Sequence, residues 1–142
     1  MSRVYLVRHG QTAWNVGEIF RGRADIPLDE TGKHEVHLAG ETLKDETLHA
    51  VYSSPLSRSM ETAENIAKFH DISVTPLDAI VDISYGEWEG LGNQEVQQKY
   101  PELHALWLSE PHKVIFPGGE SLDEVRSRTM AALENLLAKH QD

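Results

Sequence analysis

Val4-Tyr5-Leu6-Val7 is an unbroken apolar run, rich in β-branched and aromatic types, that stops abruptly at Arg8, His9 and Gly10. That pattern predicts a strand buried on both faces, the kind found in parallel α/β sheets. In such sheets ligands meet the chain just beyond the carboxyl ends of the strands. Gly10 lets the backbone turn and a ligand approach closely. Arg8 offers a permanently charged planar fork to an oxyanion. His9 offers an imidazole that is neutral and nucleophilic near pH 7. A strand that merely reaches solvent would also end in polar residues, so the rest of the chain has to decide.

The remaining pattern supplies the elements of an α/β domain. Asp29-Glu30-Thr31-Gly32 introduces a helix with Val36, Ala39, Gly40 and Leu43 on one face. Ala50-Val51-Tyr52-Ser53 reads as a second buried strand, which gives strand, helix, strand in the order of a right-handed parallel unit. Ser54 and Pro55 suit the cap and first turn of the next helix, whose apolar side is Met60, Ala63 and Ala67. Ile72-Ser73-Val74-Thr75 alternates as a third strand. Residues 77–91 have no clean period and read as an active-site loop. Helices are expected from about Asn93 to Tyr100 and from Pro101 to Leu108, with Leu103, Leu106 and Trp107 in the core. After a second loop, Ser109 to Glu120, the capping box Ser121-Leu122-Asp123-Glu124 opens a long amphipathic helix reaching His140. A helix placed there should hand over to a fourth strand, and no residues remain for one.

Composition narrows the function classes. The 142 residues, 39% hydrophobic and 25% charged, suit one soluble globular domain, residues 1–142. No apolar run approaches the roughly 18 residues of a membrane span, so no membrane role is expected. The first strand begins too early for a signal peptide. The absence of cysteine excludes disulfides and thiol catalysis and fits a cytoplasmic setting. A formal net charge of −10 argues against nucleic acid as a partner. An anion would therefore need a few arginines gathered into one local positive pocket.

Arg8-His9-Gly10, followed by Thr12 and Asn15, resembles the signature of the histidine phosphatase superfamily, the group that includes cofactor-dependent phosphoglycerate mutases. Ser54-Pro55-Leu56-Ser57-Arg58 with Thr62-Ala63 resembles the second motif of the same family. The resemblance implies a three-layer α/β/α fold with a mostly parallel central sheet, phosphoglycerate mutase-like, whose C-terminal strands are missing. It also implies that His9 is phosphorylated during turnover and that Arg8 and Arg58 bind the phosphoryl oxygens. The family's proton donor usually lies four residues before the glycine of a Gly-x-Trp-Glu-Gly motif. Here that motif is Gly86 to Gly90, and the matching position holds Asp82, one methylene shorter than the usual glutamate. Glu87 is the alternative donor, although a solvated loop face explains Glu87 and Glu89 as well. Arg21, beside Gly22, stands where relatives carry a phosphate-binding glutamine. Asn15, Thr12 and Gly10 complete the expected substrate-binding set.

The other histidines lack ligand spacing. His34 and His37 lie three apart on a helix, but no carboxylate completes a metal site, and surface positions explain them. The expectation is therefore a phosphomonoester hydrolase that needs no metal and no cofactor. Its ligand would be a small phosphorylated substrate or inorganic phosphate. The short loop around Trp88 favours the phosphatase branch; a phosphoglycerate mutase and a non-catalytic phosphate-binding protein remain as alternatives. A sheet edge left without its neighbour would also invite a homodimer.

Overall fold

In the computed structural model, which describes residues 3–140, the chain is α/β, with six α-helices and a parallel sheet. Regular strand pairing among the described residues is confined to β1, Val51–Ser53, and β2, Val74–Pro76. They run parallel with Val51 opposite Val74 and Ser53 opposite Pro76.

The first expected strand does not form. Val4, Leu6 and Val7 are 49%, 89% and 46% exposed, and no ladder includes residues 4–7. Apolar β-branched residues fit a pleated surface only where a neighbouring backbone supplies the other half of the pairing. The sheet therefore has two strands where the sequence suggested three.

The chain divides into two compact units. One comprises residues 8–18 and 25–81, and holds α1 (Ala13–Val16), α2 (Glu30–Leu43), the sheet and α3 (Ser57–Ala67). Asp29 caps α2 by accepting from Gly32 N at 2.8 Å. Val36 and Gly40 face inward, and a Cβ on Gly40 would sit 2.4 Å from the carbonyl oxygen of Asn65. Only glycine lets α2 and α3 cross so closely.

The α3 helix starts at Ser57, later than the sequence suggested, because Ser54 is spent on a turn. Ser54 is buried and its hydroxyl oxygen accepts from Leu56 N at 3.4 Å. The cap comes instead from Asp25, whose Oδ1 accepts from Ser57 N at 2.8 Å and from the Ser57 hydroxyl at 2.7 Å. Those two bonds, with a smaller contribution from the charge of Arg58, hold the Asp25 carboxyl below its usual range.

The other unit comprises residues 3–7, 19–24 and 82–140, with α4 (Asn93–Lys99), α5 (Pro101–Ser109) and α6 (Leu122–Lys139). All three helices fall close to where periodicity and capping put them. Ser121 and Glu124 exchange their cap bonds at 2.7 and 3.2 Å. The core is Ile83, Trp88, Val96, Val114 and Phe116, with Tyr85, Leu103, Leu106 and Trp107 packed around it. Ring centroids of Trp88 lie 5.1 Å from Phe20 and 4.9 Å from Phe116, both edge-to-face. The stretch 77–91 is thus no open loop. It holds two single 3₁₀ turns, Asp78–Ile80 and Gly86–Trp88, the second nailed down by a fully buried Trp88.

Candidate active site

Gly10 and Gln11 are tied to the start of α2. Gln11 O accepts from Asp29 N at 3.0 Å, Gln11 N donates to Glu35 at 2.8 Å, and the Gln11 amide donates to Asp29 at 3.0 Å. Glycines at both contact points allow this approach. A Cβ on Gly10 would lie 2.6 Å from Gly32 O, and a Cβ on Gly32 would lie 2.1 Å from Gln11 O.

This latch holds His9 beside an open cavity of about 320 Å³ lined by Arg8, His9, Gly10, Gln11, Asn15 and Glu35. His9 Nδ1 lies 2.7 Å from the carbonyl oxygen of Gly10. A carbonyl oxygen only accepts, so Nδ1 carries a proton; when the ring is neutral, the lone pair is then on Nε2. That is the tautomer a nitrogen nucleophile needs.

Asn15 is oriented by α1's own cap. Its Oδ1 accepts from Thr12 N and from the Thr12 hydroxyl, both at 2.9 Å. That leaves the NH₂ as the donor end of a side chain that lines the cavity. Thr12 is fully buried, and its side chain is spent on Asn15.

Arg58, in the first turn of α3, is 1% exposed. Its backbone is joined to the neighbour of His9 by one hydroxyl: Gly10 N donates to Thr62 Oγ1 at 3.3 Å, and that hydroxyl donates to Arg58 O at 2.7 Å. Arg8, His9, Gly10, Thr12, Asn15 and Arg58 thus belong to one unit.

The remaining expected residues, Arg21, Gly22 and Asp82, belong to the other unit. Gly22 adopts φ +52°, and a Cβ there would meet Glu89 Oε1 at 2.2 Å. Asp82 Oδ1 accepts from Ile83 N at 2.8 Å, and its carbonyl accepts from Arg128 at 3.3 Å. The Tyr85 phenol is pushed above its usual pKa, first by burial and then by the charge of Asp82, with Arg21 opposing. Asp82 and Arg21 therefore both act on one hydroxyl.

Glu87 is exposed and accepts from the Tyr100 hydroxyl at 2.6 Å. Glu89 is not the solvated side chain that the sequence suggested. It is half-buried, and its Oε1 accepts from Arg23 N and Tyr85 N, both at 3.1 Å. Glu120 is a second such hub. Arg128 bonds, helped by Ser84 N and the charge of Arg23, hold its carboxyl below the usual range. Gln11, Glu35, Glu89 and Glu120 were missed in the sequence because their partners are set by tertiary contact.

Residues 4–142 match the profile of the histidine phosphatase superfamily, branch 1. Phosphoserine phosphatase 1 of Hydrogenobacter thermophilus is 41% identical over 140 residues, covering 99% of this chain and 66% of that protein. Among solved structures, Bacillus stearothermophilus YhfR superposes with a TM-score of 0.89 at 31% identity, over 94% of this chain and 66% of that one. The mycobacterial glucosyl-3-phosphoglycerate phosphatase Rv2419c in complex with inorganic phosphate gives 0.84 at 26% identity, over 93% and 61%. The chain spans slightly less than two thirds of these relatives' own length.

Proposed function

Since this chain belongs to branch 1 of the histidine phosphatase superfamily, we propose that it hydrolyses small phosphomonoesters through a phosphohistidine at His9. The observation that carries the reading is the 2.7 Å contact from His9 Nδ1 to Gly10 O. In the neutral ring this puts the lone pair on Nε2, and His9 lines the cavity together with Arg8 and Asn15.

In the proposed reaction Nε2 attacks phosphorus in line, the N–P bond forms, and the ester P–O bond breaks. Arg8, Arg58 and the Asn15 amide offset the charge on the equatorial oxygens, and motif position alone assigns Arg21 to the same task. By its motif position Asp82 is assigned the proton given to the departing alkoxide. It then takes a proton from the water that cleaves the N–P bond and releases phosphate. No step calls on a metal or cofactor. O-Phosphoserine is the first substrate to try, because the relative at 41% identity is named for it. No helix among the described residues is long and apolar enough to cross a membrane.

The test is ³¹P NMR of the denatured chain after brief exposure to phosphomonoester, paired with phosphate release. Wild type should show an acid-labile phosphohistidine that His9→Ala lacks, and turnover should vanish with it. Equal turnover by His9→Ala refutes the mechanism. Phosphate binding by calorimetry with no label on His9 would make the chain a phosphate-binding protein instead.

A further inference from the structure

Two carboxylates in the unit that carries Arg21 and Asp82 join the same two segments of chain. Glu89 Oε1 accepts from Arg23 N and from Tyr85 N, both at 3.1 Å. Glu120 reaches Arg23 Nη2 at 3.1 Å and accepts from Ser84 N at 2.9 Å. Backbone bonds extend the join, from Phe20 N to Leu91 O at 3.0 Å and from Gly90 N to Phe20 O at 2.9 Å. Gly22 lies against the Glu89 carboxylate so tightly that no larger residue fits without moving it. The turn bearing Arg21 and the segment bearing Asp82 are therefore fastened together, and Glu89 is the group between them.

We propose that Glu89 is a positioning residue, which fixes Arg21 relative to Asp82 so that the acid meets the oxygen of an ester whose phosphoryl group Arg21 holds. This rests on the phosphatase reading above. The raised Tyr85 phenol agrees with it, since both charges act there. What Glu89 supplies is an acceptor oxygen for two N–H groups. A neutral amide at the same place offers that oxygen too, so the role does not need a titrating carboxyl.

The experiment compares Glu89→Gln and Glu89→Ala with wild type on two esters, p-nitrophenyl phosphate and glycerol 1-phosphate. Nitrophenolate leaves with little help from an acid, whereas an aliphatic alkoxide needs the proton. A misplaced Asp82 should therefore lower kcat/KM for the glycerol ester about tenfold more than for the aryl ester. Glu89→Ala is expected to show that split. Glu89→Gln is expected to stay within about twofold of wild type on both. Equal losses on both esters, or Glu89→Gln as impaired as Glu89→Ala, overturn the proposal; the second result would make the carboxyl itself the chemical group. Amide exchange gives a readout that needs no turnover: Arg23 and Tyr85 N–H should lose protection in Glu89→Ala and keep it in Glu89→Gln. Retained protection in Glu89→Ala overturns the join. If wild type turns over neither ester, the phosphatase reading fails, and with it the catalytic purpose of the join, whatever the exchange data say of its geometry.

Discussion

Replacing Gly32 by alanine sets two known effects against each other at the contact that holds the loop bearing His9. Gly32 lies in the first turn of α2, where alanine is the better helix former by up to about 1 kcal/mol. A Cβ there, however, would sit 2.1 Å from Gln11 O, 2.8 Å from Gln11 N and 2.9 Å from Gln11 C. All three are backbone atoms, so no side chain can rotate aside. Relief requires the 10–12 segment to move by about 1 Å or more to reach ordinary contact, an overpacking cost of about 1–3 kcal/mol. That movement also strains the bonds from Asp29 N to Gln11 O and from Gln11 N to Glu35, each worth about 1 kcal/mol. The net is a loss of about 2 kcal/mol, or a fall in Tm of about 8 °C for a chain of this size. Scanning calorimetry would read it against Gly118→Ala as a control. Gly118 has nothing within 4 Å of the added Cβ and only its φ of +69° to strain, about 1 kcal/mol. Phosphate affinity should drop in Gly32→Ala and hold in Gly118→Ala. A Gly32→Ala protein that melts at or above wild type would show that helix propensity outweighs the contact and would refute the latch.

Trp88→Ala removes the fully buried centre of the aromatic cluster and should cost about 3–5 kcal/mol in urea titrations. Asp25, Asp29 and Glu120 hold their carboxyls below the ordinary values of 3.8, 3.8 and 4.5. The stability they add is therefore full above those values and is lost as pH falls through the lower folded-state ones. Asp25→Asn should flatten the fall in Tm between about pH 5 and pH 2, measured in parallel melts. Arg58→Ala should abolish phosphate binding in calorimetry, while Arg58→Lys, which keeps the charge but not the planar fork, should retain only weak binding.

The helices of the second half were readable because their signals are local. Ser121 and Glu124 are three residues apart, and Pro101 sits where a first turn tolerates it. Residues 4–7 misled because a strand is a property of pairing, which no short run encodes by itself. The candidate site divides in the same way. Arg8-His9-Gly10 announces itself as a motif at the end of an apolar run. The bonds that orient it do not: Gly10 meets Thr62 at a separation of 52 residues, and Glu89 meets Arg23 at 66. Asp25 caps a helix that starts 32 residues later, a role nearness in sequence would never suggest. Glu89 was read as a solvated face for that reason, since its flanking residues gave no sign of two amides waiting for an acceptor.

The Thr62 hydroxyl, which receives from Gly10 N and gives to Arg58 O, is a demanding position to replace. Valine has the same outline yet would leave the Gly10 N–H without its acceptor, and serine would free the rotor that threonine's methyl restrains. A drift of α3 along its axis would be transmitted through this single oxygen to the loop that bears the imidazole. Packing faults on the far side of that helix should therefore surface as slower chemistry before they surface as unfolding.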